Sequence, residues 1–280
     1  MENILVIGSG TMGIDIAQVF AKAEMNVVVQ DISSDAISGG EARLKSALNR
    51  LAEKGKISAE ESSAILSRII FTTEKTHAAN SELVIEAAVE NLEVKQRIFA
   101  ELDEICPPNT IFASNTSSIS ITAIASATKR SDRFIGMHFF NPATVMKLVE
   151  VIRGNNTNDD TTEKVKKLIT KIGKEPVEVN EAPGFVVNKI LIPMINEAVC
   201  LLETGVSSVE EIDTAMKLGA NHPMGPLALG DLVGLDICLA IMDVLLAETG
   251  DSKYRASTLL RKMVRGGKLG RKSGEGFYKY

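Results

Sequence analysis

Cysteine is scarce in this chain of 280 residues: there are three, Cys106, Cys200 and Cys238. They are odd in number, widely spaced and without a C-x-x-C pair, which argues against a disulfide framework or a zinc site. A reducing, cytoplasmic setting is expected. Histidine is as rare, and neither His77 nor His222 has a partner at ligand spacing, so no metal is expected. Positive charge is not in excess: 31 Lys+Arg stand against 36 Asp+Glu, a formal net charge of −5. That balance excludes non-specific nucleic-acid binding, which depends on neutralising phosphates. A local basic patch for a small anion remains open. No apolar run approaches the roughly 18 residues of a membrane span. The chain enters a strand-like run at Ile4 with no basic segment before it, so neither a membrane anchor nor a cleavable leader is expected.

Hydrophobic residues at 45% and charged residues at 24% are ordinary globular values. The length corresponds to two domains at about 150 residues each. Ile4–Ile7 and Val27–Asp31 read as buried strands, with a helix-compatible segment from Met12 to Ala23 between them. That is the βαβ unit of a parallel sheet. Ile37, Leu44, Leu48 and Leu51 lie on one helical face. With a second helix over about 59–68 they predict a helical hairpin inserted in the sheet domain. Further strands are predicted at Ile69–Thr72, Leu83–Glu86, Ile111–Ser114, Arg133–Phe139, Leu148–Ile152 and Pro176–Val179, with helices at about 93–105, 120–127 and 159–172. The fold class expected for residues 1–182 is a Rossmann-type doubly wound α/β sheet. After Glu181-Ala182-Pro183-Gly184 the alternation stops, and residues 183–280 are expected to form an all-α domain with helices at about 187–203, 208–218, 227–247 and 256–265. Two of these, over 187–203 and 235–247, are apolar almost all round. Fewer than 100 residues offer them little cover, so a subunit interface is expected there.

Gly8-Ser9-Gly10-Thr11-Met12-Gly13 is G-x-G-x-x-G, placed between the first strand and the first helix. Gly8 makes the tight turn, Gly10 lets the backbone approach a pyrophosphate, and Gly13 lets the helix pack on the sheet. The helix opening at Thr11 and Met12 offers unpaired N–H groups and a positive dipole end to that anion. Asp31 ends the second strand 18 residues after Gly13. A carboxylate there accepts hydrogen bonds from the adenosine ribose and repels a 2′-phosphate, so NAD is the expected cofactor rather than NADP.

Ala113-Ser114-Asn115-Thr116-Ser117-Ser118 follows a strand, at the end where open α/β sheets bind ligands. The same residues also suit a plain turn and helix cap. His138 lies in a strand, and Glu150 follows 12 residues later among apolar neighbours. A strand, turn and antiparallel strand would bring the two together. A buried carboxylate needs a partner, and His138 is the nearest in sequence. A histidine in an apolar strand also fits a satisfied core residue. Hydride transfer, however, calls for a base at the hydroxyl proton, and an imidazole oriented by a carboxylate meets that need without a metal.

These residues resemble the 3-hydroxyacyl-CoA dehydrogenase family, nearest its bacterial 3-hydroxybutyryl-CoA members. The resemblance covers essentially the whole chain, through Gly8–Gly13, Val84–Glu90 (VIEAAVE), Ala113–Ser118 (ASNTSS), Gly136–Pro142 (GMHFFNP), Pro183–Asn188 (PGFVVN), His222–Pro226 (HPMGP) and Gly274–Tyr280 (GEGFYKY). It implies NAD-linked interconversion of (S)-3-hydroxybutanoyl-CoA and acetoacetyl-CoA, with His138 as base and Glu150 as its partner. It implies Ser117 and Asn188 as hydrogen-bond donors to the reacting oxygen. It implies Glu90, Lys95, Asn115, Asn141 and Lys272 as NAD contacts or near contacts. The inserted hairpin resembles the family's coenzyme A-binding element, so Arg50, Lys54 and Lys56 are expected near the coenzyme's phosphates. The family often has lysine where Arg50 stands, which keeps the charge and alters its geometry. A homodimer through the helical domain, and a cleft between domains that closes on substrate, are also implied. Two other readings stay open on the residues alone. One is a dehydrogenase of similar build acting on a sugar acid or other non-CoA 3-hydroxy acid; the other is a non-catalytic nucleotide-binding protein.

Overall fold

The computed structural model describes residues 1–280, which separate into two compact units, Met1–Glu181 and Ala182–Tyr280. The first unit is built on one eight-stranded sheet. Its strands are β1 (Asn3–Ile7), β2 (Asn26–Gln30), β3 (Ile69–Thr72), β4 (Leu83–Glu86), β5 (Ile111–Ser114), β6 (Phe134–Phe139), β7 (Leu148–Arg153) and β8 (Glu175–Asn180). Their spatial order is β3-β2-β1-β4-β5-β6-β7-β8. The first six run parallel; β7 is antiparallel to β6, and β8 is parallel to β7. The central strands are runs of Val, Ile, Leu and Phe because a parallel sheet is covered on both faces. Only the edges leave large apolar side chains in water, at Ile70 on β3 and Val177 on β8. The order turns back between β1 and β4, the switch point at which open α/β sheets place their ligands.

The helices of this unit are α1 (Thr11–Lys22), α2 (Ser34–Glu53), α3 (Ala59–Ser67), α4 (Leu92–Ile105), α5 (Ile121–Ala125) and α6 (Asp159–Lys171). Side-chain caps start several of them: Ser33 accepts from Ala36 N–H, Asn91 from Val94 N–H and Asn158 from Thr161 N–H. The hairpin of α2 and α3 lies between β2 and β3, as the periodicity predicts, with Leu44, Leu48 and Ile65 buried in the core.

The second unit holds α7 (Val187–Glu203), α8 (Val209–Gly219), α9 (Pro226–Val233), α10 (Leu235–Thr249) and α11 (Thr258–Arg265). One expectation is corrected here. The single helix expected over 227–247 is two, broken at Gly234, where φ is +104°. Only glycine takes that conformation without strain, and apolar residues on both sides conceal the break in the sequence. Ile192, Ile195, Val199, Leu235, Met242 and Leu245 form the core of this unit. Asp213 caps α9, accepting from Leu227 and Ala228 N–H at 2.8 and 3.0 Å. Asp231 accepts from Phe277 and Tyr278 N–H, both at 2.9 Å, and so pins the C-terminal tail.

Candidate active site

β1 ends at Ile7, and the chain turns at Gly8 with φ +101°. A Cβ on Gly8 would lie 2.7 Å from the Ala87 carbonyl, so the segments after β1 and β4 approach too closely for any side chain. A Cβ on Gly13 would collide with the Gly8 carbonyl, whereas one on Gly10 would meet nothing within 4 Å. Gly13 therefore serves helix–turn packing, and Gly10 leaves a bare stretch of backbone at the open N-terminus of α1. Beside it lies a cavity of about 950 Å³, whose walls include Gly8, Ser9, Gly10, Asp31 and Ala88. Its size falls in the usual range for small-molecule sites, about 300–1,000 Å³. Bare glycine backbone, a free helix N-terminus and a carboxylate at the end of β2 fit the pyrophosphate and ribose of a dinucleotide. Asp31 is held firmly: Oδ2 accepts from Ser9 N–H at 2.8 Å and Ser9 Oγ–H at 2.9 Å, and Oδ1 accepts from Ile32 N–H at 2.8 Å.

The second cluster stands on the antiparallel pair. His138 on β6 is directly opposite Glu150 on β7. The imidazole Nδ1 is 2.8 Å from Glu150 Oε2. Both residues are buried, 6% and 1% exposed. A carboxylate against Nδ1 keeps the proton on that nitrogen and leaves Nε2 to take a proton from elsewhere. The Phe140 ring lies against the imidazole, with centroids 4.5 Å apart.

The loop after β5 is organised by charge. Glu90 Oε1 accepts from Thr116 Oγ1–H at 2.5 Å, Ser117 N–H at 3.0 Å and Ser118 N–H at 3.2 Å. Lys95, 1% exposed, lies between two carboxylates, with Nζ 2.7 Å from Glu86 and 3.3 Å from Glu90. Burial works to raise the Glu90 carboxyl, but Lys95 and the hydroxyl and N–H donors outweigh it and hold the group below the ordinary carboxylate range. Glu86, fully buried at the end of β4, also accepts from Ser114 Oγ–H at 2.6 Å and Ala88 N–H at 2.6 Å. Asn115 ties this loop to the histidine strand, its Oδ1 accepting from Phe139 N–H at 2.9 Å.

The first unit thus brings His138 together with Glu150, and Glu90 and Lys95 together with the Ser117 loop. Asn141 is exposed, just beyond β6. Arg50, Lys54 and Lys56 are exposed at the far end of α2 and in the turn after it, Arg50 resting on Ser46. In the second unit Asn188 is buried on the first turn of α7, and Lys272 pairs with Asp236 at 2.6 Å. Glu86 and Phe140 were not singled out from the sequence. An acidic residue ending an otherwise apolar strand was the available signal for Glu86; Phe140 carried none.

Comparison with known proteins settles the family. Residues 3–182 match the model of the 3-hydroxyacyl-CoA dehydrogenase NAD-binding domain, and residues 184–280 match that of the 3-hydroxyacyl-CoA dehydrogenase C-terminal domain. The chain belongs to the 3-hydroxyacyl-CoA dehydrogenase family. It is 55% identical to a 3-hydroxybutyryl-CoA dehydrogenase of Clostridioides difficile over 99% of both chains. It is 52% identical to a probable 3-hydroxybutyryl-CoA dehydrogenase of Bacillus subtilis, over 100% of this chain and 98% of the other. The crystal structure of (S)-3-hydroxybutyryl-CoA dehydrogenase from Ralstonia eutropha superposes with a TM-score of 0.97 at 51% identity, covering 100% of this chain and 99% of that one. As a 3-hydroxyacyl-CoA dehydrogenase the chain is an NAD-dependent oxidoreductase, and its Rossmann unit is the NAD-binding domain. None of its helices is long and apolar enough to cross a membrane.

Proposed function

We propose that the protein interconverts (S)-3-hydroxybutanoyl-CoA and acetoacetyl-CoA. The observation that carries the chemistry is the buried His138–Glu150 pair, 2.8 Å apart and in register across β6 and β7. In oxidation His138 Nε2 takes the proton of the substrate hydroxyl, and Glu150 stabilises the imidazolium that forms. In reduction the imidazolium returns the proton to the oxygen. Bound NAD supplies the hydride acceptor in one direction and, reduced, the donor in the other. Ser117, on the loop braced by Glu90, donates a hydrogen bond to the same oxygen and so favours developing negative charge there. Asn188 is assigned a second such hydrogen bond on the family resemblance. Gly8, Gly10, Thr11, Met12, Gly13 and Asp31 hold the cofactor, with Glu90, Lys95, Asn115, Asn141 and Lys272 assigned as NAD contacts or near contacts on the family resemblance. Arg50, Lys54 and Lys56 attract the phosphates of coenzyme A.

Loss of NADH absorbance with acetoacetyl-CoA tests this reading. Turnover is expected with acetoacetyl-CoA and not with free acetoacetate, and His138→Gln is expected to abolish it while NADH still binds. Equal turnover of both substrates would refute the coenzyme A assignment; near-normal turnover by His138→Gln would refute the base. The protein is also assigned to the cytoplasm, in keeping with three cysteines that form no disulfide. A homodimer through the helical unit is supported by Ile190, 68% exposed on the apolar α7, and by Ile237, exposed on α10. Sedimentation of Ile190→Asp as a monomer is the expected result.

A further inference from the structure

Asp31 is placed to refuse a 2′-phosphate by its charge alone. The structure adds what surrounds that charge. Three donors converge on the carboxylate: Ser9 N–H, Ser9 Oγ–H and Ile32 N–H, at 2.8, 2.9 and 2.8 Å. Three donors directed at one anion form a built anion site, at present filled by the chain's own side chain. A cation stands beside it. Arg43 on α2 reaches back so that Nη1 donates to the Ser9 carbonyl at 3.4 Å. The residue that clasps Asp31 through its N–H and hydroxyl therefore touches Arg43 through its carbonyl. The approach of α2 depends on Gly40, where a Cβ would come within 3.0 Å of the Ser9 carbonyl and of Ile14. Arg43 and Asp31 line the same cavity.

We propose that Ser9, Ile32 and Arg43 constitute a latent site for the 2′-phosphate of NADP, occupied by the Asp31 carboxylate, with Arg43 the residue that would pair with the phosphate. A carboxylate clasped by three donors has no free swing, so an incoming phosphate meets like charge at hydrogen-bond distance. Removing the carboxylate shifts the site's charge toward positive, with Asp35 left as an acid on the same cavity wall: three donors lose their acceptor, and the guanidinium beside them is left to form charge-assisted bonds with a phosphate monoester. One substitution thus unmasks a site instead of merely relaxing a constraint. Of the other cations lining the cavity, Lys75 is paired with Glu101, and Arg97 on α4 serves as the control.

The inference rests on the assignment of NAD to this cavity, so binding is measured on the intact protein without substrate, by the fluorescence of NADH and NADPH, and turnover is measured separately. Asp31→Ser is expected to shift the NADPH/NADH affinity ratio toward NADPH by about 100-fold, as expected for exchanging repulsion for charge-assisted bonds. Adding Arg43→Gln to that variant is expected to remove about tenfold of the NADPH affinity, one charge-assisted bond's worth, and to change NADH affinity by less than about threefold. Adding Arg97→Gln instead is expected to change NADPH affinity by less than about threefold. A folded Asp31→Ser that gains no NADPH affinity overturns the proposal. So does NADPH affinity that ignores Arg43, or that falls equally on loss of Arg97. If Asp31→Ser does not fold, Asp31→Asn replaces it, keeping an acceptor for Ser9 without the charge. Its expected gain is about tenfold, and no gain is a refutation. A wild-type protein that binds neither nucleotide would instead defeat the cofactor assignment itself, a separate result.

Discussion

Glu150→Gln isolates the charge at the centre of the proposed mechanism. The substitution keeps shape and volume in a buried position, 2.8 Å from His138 Nδ1. During turnover the imidazole becomes a cation beside that carboxylate. With charge centres about 4 Å apart and an effective dielectric near 20, the attraction is about 4 kcal/mol. Gln returns part of it as an ordinary hydrogen bond of about 1 kcal/mol. The net loss of about 3 kcal/mol corresponds to roughly a hundredfold fall in kcat. A glutamine amide also has an N–H face. If that face donates to Nδ1, the ring proton is forced onto Nε2, the atom that must accept the substrate proton, so oxidation is expected to suffer more than reduction. Initial rates at the NADH absorbance band, in both directions at saturating substrates, give both numbers. NADH affinity and the melting temperature are expected to stay near wild type, because a neutral amide is less costly to bury than a carboxylate. A kcat within about threefold of wild type in both directions would show that the imidazolium does not depend on Glu150.

Gly10→Ala and Gly13→Ala should part company. Gly13→Ala forces a methyl into the Gly8 carbonyl and should destabilise the apo protein by about 1–3 kcal/mol or more, seen as a lowered melting temperature. Gly10→Ala meets nothing in the apo protein and should leave that temperature unchanged while weakening NADH binding; equal melting losses would refute the division of roles. Glu90 sits below its ordinary value of 4.5, so its stabilisation of the Ser117 loop is fully present above that value and is lost as pH falls through the lowered one. Melting curves of wild type and Glu90→Gln should therefore differ at neutral pH and converge in acid, and a gap constant from pH 7 to pH 3 would contradict this. If Arg50, Lys54 and Lys56 meet coenzyme phosphates, Lys54→Glu should raise the KM for acetoacetyl-CoA and leave that for NADH unaltered. The effect should shrink at high salt, because exposed charges are screened.

Local periodicity alone determined much of this protein. β3, β4 and β5 have the limits their apolar runs predict; for β4 and β5 the reason is that a strand covered on both faces is apolar along nearly its whole length. The glycine motif was legible because backbone contacts, not side chains, constrain Gly8 and Gly13. His138 and Glu150 were legible as a pair because an antiparallel connection of that length sets them face to face. The break at Gly234 was not, since one glycine between apolar residues does not interrupt a helical pattern; its positive φ is seen only in the folded backbone. Nor was the state of Lys95. The family resemblance implies only a place near NAD; the folded chain buries Lys95 between Glu86, at the end of β4, and Glu90, on the loop that follows it. Arg43 likewise faces Ser9 because Gly40 lets α2 approach the cofactor turn. Sequence records which groups are present and how they alternate along a segment; which charges meet is decided by the packing of segments against one another, because Coulomb and hydrogen-bond energies depend on distances that only the tertiary fold creates.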